Sequence, residues 1–490
     1  MKIRLSQNSF VRIYDDGQIG YINNQLTRHD RTYDAAGADF LRQISRTPVD
    51  VEQAVDALCE IYGTDEREAL HADFLEFVED LARYKFVVLG DSESELDAAD
   101  LGFSYAMENP KTLAEDFTQQ TAEAVDENTQ DYLLNHDREK PRLAALQFEI
   151  TSRCNERCIH CYIPNGKKNA GRDMSFDTFK RIVDEFVEMN GLHVTLSGGE
   201  ALMNKDVLRM LRYAREKDLQ ISLLTNLIAL KDEQIPVLKE VNLSLIQVSL
   251  YSMDAAKHDL ITTVKGSFEK TKAAIEKLHA ADIPVQISCP VMKANRTGYD
   301  EVMAYARSLR MKAQTDYIMM AQADLDTSNL ANRLSIEETE DLLKDIVKGD
   351  PDYDKLVHDA EPLSRNAEML AQQPLCGAGI NDLCVTVNGD VYPCAGWQGY
   401  IVGNVFRESL RAIWESSPQL RAIRGITYAD FPKCLNCEAL DFCNICLVRN
   451  FNESGGDMFR VSPHFCEVAF ANKRLAESLL RKSDSGSDED

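Results

Sequence analysis

The spacing of hydrophobic positions changes character several times along this chain. Between residues 10 and 33 apolar residues alternate in "FVRIY" and "QIGYI" around "DDG", a hairpin signal, and a short extended "RTY" follows. The period then lengthens. "AAGADFLRQIS", "DVEQAVDALCEIYG" and "EREALHADFLEFVEDLARY" place apolar residues three and four apart, as helices covering a core do, and "KFVVLG" reads as a closing strand. These elements predict a first domain over residues 1–92. Periodicity is lost over 93–142, where acidic stretches such as "EAVDENTQD" predict a linker with some helix. Over 143–330 short apolar runs, "LQFEIT", "HVTLS", "QISLLT", "IQVSLY", "PVQIS" and "TDYIMM", alternate with amphipathic segments. That alternation predicts parallel strands with crossover helices, an α/β partial (β/α)6 barrel whose chemistry sits at the strand C-termini. A bridging helical segment over 331–375 leads to a cysteine-rich domain over 376–470, which includes a hairpin in "CVTVNGDVYPC" about "NGD". Residues 471–490, ending in "SDSGSDED", read as an acidic tail.

At 490 residues the chain is longer than one hydrophobic core supports, in keeping with several folded units. Lys+Arg 54 against Asp+Glu 80 gives a formal charge of −26. That balance repels phosphate backbones and anionic membranes, so neither nucleic acid nor membrane is an expected partner. The start lacks a signal-peptide pattern and no run reaches the ~20 apolar residues of a membrane span, so a cytoplasmic, soluble protein is expected. Thiols in that compartment stay reduced, and ten of the thirteen cysteines fall into clusters, which makes them metal ligands rather than disulfides. Cys59 and Cys289, in a predicted helix and strand, read as core residues.

The stretch "CNERCIHCY" sets Cys154, Cys158 and Cys161 directly after the first predicted barrel strand. Three thiolates suit a zinc ion whose fourth ligand is His160 or a distant residue, or a cubane cluster with one iron left open to a small molecule. The second barrel strand runs into "LSGGEA": Gly198 and Gly199 clear space for a close backbone approach, and Glu200 offers a carboxylate to an ammonium group. Taken together these residues resemble the radical S-adenosylmethionine superfamily, with its C-x3-C-x2-C after the first barrel strand and its "GGE" after the second. The resemblance implies that S-adenosylmethionine chelates the open iron and yields a 5'-deoxyadenosyl radical. It implies that Glu200 binds the methionine amino group and the backbone near His160 meets the adenine. Thr225, Asn226, Ser249 and Ser252 stand at later strand ends, where the family places ribose and carboxylate contacts, though strand-end caps explain them equally well.

The C-terminal cysteines resemble the SPASM extension of peptide-modifying radical enzymes: Cys376, Gly389 and Cys394, then Cys434, Cys437, Cys443, Cys446 and Cys466. The family layout implies two auxiliary 4Fe-4S clusters, making three clusters in all. Cys376, Cys394 and Cys446 would hold the first, and Cys434, Cys437, Cys443 and Cys466 the second. Cys384 is a candidate fourth ligand of the first, but its place inside the strand "LCVTV" suits a small buried hydrophobe better. Two zinc ribbons would account for this field alone, but not for the upstream motifs.

The first domain resembles the RiPP recognition element, a winged-helix-like module that captures a leader peptide as an added strand. Here that groove would lie near Arg31 to Asp34 and the helix from Glu66 to Tyr84, and net acidity suits a basic leader. The expected function is therefore a maturase of a ribosomally made precursor peptide, served by an external low-potential electron donor such as flavodoxin or ferredoxin. Three ligands at the first auxiliary cluster favour a thioether cross-link over a carbon-carbon one. Ala395 follows Cys394 where sulfatase-maturing relatives carry an acidic residue, which disfavours formylglycine formation. An iron-sulfur electron carrier or sensor with a peptide-binding arm is the rival of another class. The general base is unknown from the sequence.

Overall fold

The computed structural model describes all residues except 15–16, 26–28, 101–139, 169–170, 350–366 and 486–490. Two small antiparallel sheets and three helices build the first domain. Strands β1 (Lys2–Leu5), β2 (Ser9–Tyr14), β3 (Ile19–Asn24), β4 (His29–Tyr33), β5 (Val49–Asp50) and β6 (Val87–Gly90) pair in the orders β5-β1-β6 and β2-β3-β4. Helices α1 (Ala35–Arg42), α2 (Val51–Tyr62) and α3 (Arg67–Arg83) fill the gaps between them. Local chemistry sets their ends: Asp34 accepts from Gly37 N, Asp50 accepts from Glu52 N, and Gly63 closes α2 in the left-handed region at φ 59°. Leu41, Val55, Leu58, Phe74, Val78 and Leu81 from the three helices meet Ile3 and Ile22 in one core. Strand β1, "KIRL", alternates buried Ile3 and Leu5 with Lys2 and Arg4 and pairs with β5 and β6.

Six parallel strands follow in sequence order: β7 (Ala145–Glu149), β8 (His193–Ser197), β9 (Gln220–Thr225), β10 (Leu245–Ser249), β11 (Val285–Pro290) and β12 (Lys312–Asp316). This is the partial (β/α)6 barrel. The helix Phe176–Glu188 shows how its outer layer forms: Ser175 caps it, and Phe176, Phe179, Ile182, Val183 and Phe186 make one buried stripe at spacings of three and four. The sixth strand begins three residues before "TDYIMM" and ends at Asp316 within it, because its sheet position is fixed by pairing with β11 rather than by its own apolar run.

Strands β13 (Asp382–Thr386), β14 (Asp390–Tyr392) and β15 (Gly403–Asn404) continue the barrel sheet past β7, with β13 parallel to β7 over the full five-residue register. Cysteines 376 and 394 thereby stand beside the strand that feeds the first cysteine loop. The C-terminal helix Pro463–Ser485 runs through most of the segment read as an acidic tail, and Arg474 pairs with Glu340 on the helix Ile336–Gly349, so the tail reading fails up to Ser485. Most of the linker and part of the bridging segment lie outside the described residues, as do the last five. No described helix is long and apolar enough to cross a membrane.

The first domain sits at the barrel end where strands begin. Arg12 of β2 donates to the carbonyls of Gly191 (3.2 Å), Lys217 (3.1 Å) and Asp218, just ahead of β8 and β9. Arg46 pairs with Asp218 at 2.7 Å, and Leu192 packs among Phe10, Tyr14, Ile19 and Tyr21.

Candidate active site

At the opposite end of the barrel the strand C-termini carry the two motifs, and the backbone binds them to one another. Gly199 N donates to Thr151 O (2.9 Å) and Glu200 N to Arg153 O (2.8 Å). The approach is so close that a Cβ on Gly199 would stand 2.3 Å from Arg153 O and 2.8 Å from Cys154 Cβ. Gly198 adopts φ +140°, and a Cβ there would meet Thr151 O at 2.4 Å. Arg153 clamps the base of the loop through Asp173 and the carbonyl of Met203.

Burial first, then Glu156, Cys161 and Cys154, disfavour ionisation of Cys158, so the three thiols of the loop lie close enough to feel one another. Burial pushes Cys154 up to about 11, while Lys168 hydrogen-bonds to Cys161 and faces all three sulfurs. Such thiols ionise only when a metal replaces the proton, and the ammonium then balances part of the thiolate charge. Among the described residues no three ligating side chains close around a single ion. A cubane gives each thiolate its own iron and asks for wider spacing.

Glu200 is 1% exposed and accepts three hydrogen bonds, from Leu202 N (2.9 Å), Thr225 Oγ1 (2.6 Å) and Asn226 N (2.7 Å). Burial raises its pKa and the three donors oppose that shift. A carboxylate has about four lone-pair positions, so one acceptor site is left for an ammonium group. Asn226 Nδ2 reaches Asn155 Oδ1 at 2.7 Å, tying this network back to the cysteine loop. His160 is neutral, its pKa pulled down to about 4 by burial, and its ring meets Tyr251 edge-on at 5.0 Å. Tyr251 contacts Cys158 Sγ at 3.9 Å and hydrogen-bonds to Ser249. Ser252 instead accepts from Asp254 N and serves the following turn. Thus Cys154, Cys158, Cys161, His160, Gly198, Gly199, Glu200, Thr225, Asn226 and Ser249 form one neighbourhood, while Ser252 faces local backbone.

The later cysteines fall into two groups. Cys376, Cys394 and Cys446 lie within electrostatic reach of one another. Cys434, Cys437, Cys443 and Cys466 form a second such group. Cys384 is fully buried in β13, where its thiol feels Glu149, Cys394 and Asp382. Cys289 is fully buried and Cys59 packs on the first domain's core, both as expected.

In the first domain, β4 is the outer strand of its sheet and half-exposed throughout. Arg31 pairs with Asp80 of α3 at 2.6 Å and lies 3.8 Å over the Tyr84 ring, and Tyr33 meets Phe77 edge-on. The strand and helix expected to flank a leader are thus side by side. Sequence reasoning passed over Asn155, Lys168, Tyr251 and Glu149. Glu149 left a trace: a carboxylate in the strand run "LQFEIT", at the last position of β7 before the chain enters the loop.

The family models that match are the radical SAM superfamily over residues 148–320, the SPASM iron-sulfur cluster-binding domain over 376–438, and coenzyme PQQ synthesis protein D over 29–87. The chain is 26% identical over 330 residues to the AdoMet-dependent heme synthase of Methanosarcina barkeri, covering 64% of this chain and 93% of that protein. It is 27% identical over 309 residues to the PqqA peptide cyclase of Methylocella silvestris, covering 61% and 81%. Streptococcus suis SuiB, solved bound to precursor peptide SuiA, superposes with a TM-score of 0.61 over 94% of this chain and 99% of that one, at 16% identity, a likeness of fold.

Proposed function

We infer that this chain, a radical SAM enzyme with a SPASM domain and an N-terminal PqqD domain that belongs with the peptide-modifying members of the superfamily, cross-links the core of a ribosomally made precursor peptide through a thioether. S-adenosylmethionine and a 4Fe-4S cluster, when bound, supply the 5'-deoxyadenosyl radical, and the SPASM domain binds auxiliary clusters. Every other part of the task falls to side chains of this protein. Cys154, Cys158 and Cys161 would hold the first cluster. Glu200 keeps one acceptor position for the methionine ammonium, with Thr225 and Asn226 fixing its orientation. Asn226, Ser249, His160 and the two glycines would shape the rest of the cofactor pocket. Cys376, Cys394 and Cys446 would hold the first auxiliary cluster, leaving an iron for a substrate thiolate, and Cys434, Cys437, Cys443 and Cys466 the second. A leader strand would add to β4 beside α3, its main chain supplying affinity and Arg31, Tyr33 and Phe77 reading its side chains.

The observation that carries this reading is the joint presence of two things in one chain: thiols and a buried carboxylate stitched together at the strand C-termini, and an outer strand flanked by a helix in the docked first domain. The test is to reconstitute the protein anaerobically, add a low-potential reductant such as reduced flavodoxin, and supply a cysteine-containing candidate precursor peptide with its leader. A peptide two mass units lighter, with 5'-deoxyadenosine, and a cysteine made resistant to alkylation is the expected result. No cleavage of S-adenosylmethionine would overturn the enzyme reading in favour of an electron carrier or sensor.

A further inference from the structure

A cavity opens beside the first cysteine loop, between the end of β7 and the β13–β14 hairpin. Glu149, Thr151, Ser152, Lys167, Gly199 and Gln398 line it, with Thr386, Asn388, Asp390 and Tyr392 on the hairpin side. It therefore lies between the loop of Cys154 and the strand pair that precedes Cys394. Its one carboxylate from the barrel is Glu149, 8% exposed at the last position of β7. Gln398 Nε2 donates to Glu149 Oε1, and Lys167 Nζ donates to Gln398 Oε1 at 3.1 Å, so the carboxylate, the amide and the ammonium stand in line. A buried carboxylate so placed costs stability unless charge and hydrogen bonds offset it, and here only one oxygen is engaged by a side chain.

We propose that Glu149 is the proton acceptor of the reaction, facing the core peptide in this cavity, with Gln398 orienting it and Lys167 relaying charge balance toward solvent. The inference rests on the peptide-modifying reading above. Cross-linking removes one hydrogen atom from a core carbon to form 5'-deoxyadenosine. Joining that carbon to a cysteine sulfur then releases one proton and one electron. An auxiliary cluster held by the SPASM cysteines, when bound, would supply the acceptor for that electron, and the proton released as the bond closes goes to Glu149. A carbon-carbon link would release the same proton from a C–H bond, so the role does not depend on which bond is made. Proton acceptance near neutrality suits a carboxyl whose pKa burial has raised to about 7, with Lys167 and Gln398 pulling the other way. The other ionisable groups around it are Tyr162 and Cys384, raised by burial first and then by Glu149, Tyr392, raised by burial, then by Asp390 and then by Glu149, and Asp390 itself on the cavity wall.

The test compares wild-type holoenzyme with Glu149→Gln, which keeps the side-chain volume and an acceptor for Gln398. The ratio of cross-linked peptide to 5'-deoxyadenosine should fall at least tenfold, whatever the total turnover. In the wild type that ratio should rise with pH through about 7 and in the variant stay flat. An unchanged ratio and pH profile would overturn the proposal. A second readout needs no turnover: pH-difference infrared spectra of the holoenzyme should contain a carboxyl band titrating near neutrality that Glu149→Gln removes. Its absence from the wild type would also overturn the assignment. Failure of the peptide reading is distinguishable, since it would appear as no product from wild type with the infrared band intact.

Discussion

The two ends of the barrel are built in opposite ways. Where the strands finish, the cysteine loop and the Gly198–Glu200 turn share backbone hydrogen bonds and leave no room for a single methyl group. Where the strands begin, the first domain is held by side chains that reach for barrel carbonyls, Arg12 foremost, and by one apolar cluster around Leu192. The first arrangement tolerates no change of shape, because backbone meets backbone. The second is a sum of modest side-chain contacts, each about 1–3 kcal/mol, that can be weakened one at a time. Under the proposed function, radical chemistry and peptide capture would sit at ends with different tolerances, so a variant could disable either alone.

The sharpest way to break that contrast is Gly199→Ala. The added Cβ must displace Arg153 O and Cys154, neither of which is the far end of a flexible side chain. Iron content should drop by about four per chain, the share of one cubane, and reductive cleavage of S-adenosylmethionine by at least a hundredfold. Iron and cleavage near wild-type levels would mean the strand C-termini are no more rigid than the docking end. Glu200→Gln should act less broadly. Volume and most hydrogen bonds persist, while the charge facing the ammonium is lost, a charge-assisted bond of about 1.5–3 kcal/mol. The KM for S-adenosylmethionine should rise about tenfold to a hundredfold with iron unchanged, measured by 5'-deoxyadenosine formation against cofactor concentration.

Much of this contrast was legible in the sequence, for physical reasons that differ by element. Strands β8 and β9 matched their apolar runs because Val194, Leu196, Ile221 and Leu223 are buried in the barrel core, and the cysteine and glycine motifs declared themselves through spacing. The position of β12 was not legible, since it is fixed by pairing with β11 rather than by an apolar run, whereas β1 was passed over although "KIRL" alternates polar and apolar residues. Nor could alternation reveal that β13 joins β7 and so brings the SPASM hairpin against the first loop. Glu149 was hidden for the same reason: its partners, Gln398 and Lys167, are supplied by that long-range pairing and by the loop.

At the strand-start end, Arg12→Ala removes three donations to barrel carbonyls. The guanidinium pKa is lowered by burial, so part of its desolvation cost is recovered on truncation. Docking should weaken by about 2–3 kcal/mol, seen as faster amide exchange across β2 and β3. Cleavage of S-adenosylmethionine without peptide should stay at the wild-type rate, because no contact of Arg12 reaches the cysteine loop. A parallel loss of cleavage would show the two ends to be coupled through the barrel.

The mildest expected effect, and the one with the most to say about product, is that of Cys384→Ala. The thiol is fully buried in β13, opposite Gln147 of β7 and Tyr392 of β14, and feels Cys394 across space. As a core residue it contributes packing alone, so the variant should lose about 1 kcal/mol of stability and keep its full iron. The first auxiliary group would then have three thiolates, consistent with a substrate cysteine as the fourth ligand and with a thioether product. Loss of iron, or of one auxiliary cluster's spectroscopic signal, would instead make Cys384 that ligand. A fully ligated cluster leaves no iron for a thiolate, and the product expected would become a carbon-carbon link. The chemistry at the rigid end would then be decided by a residue on the strand that joins it to the SPASM hairpin, with Glu149 needed in either case.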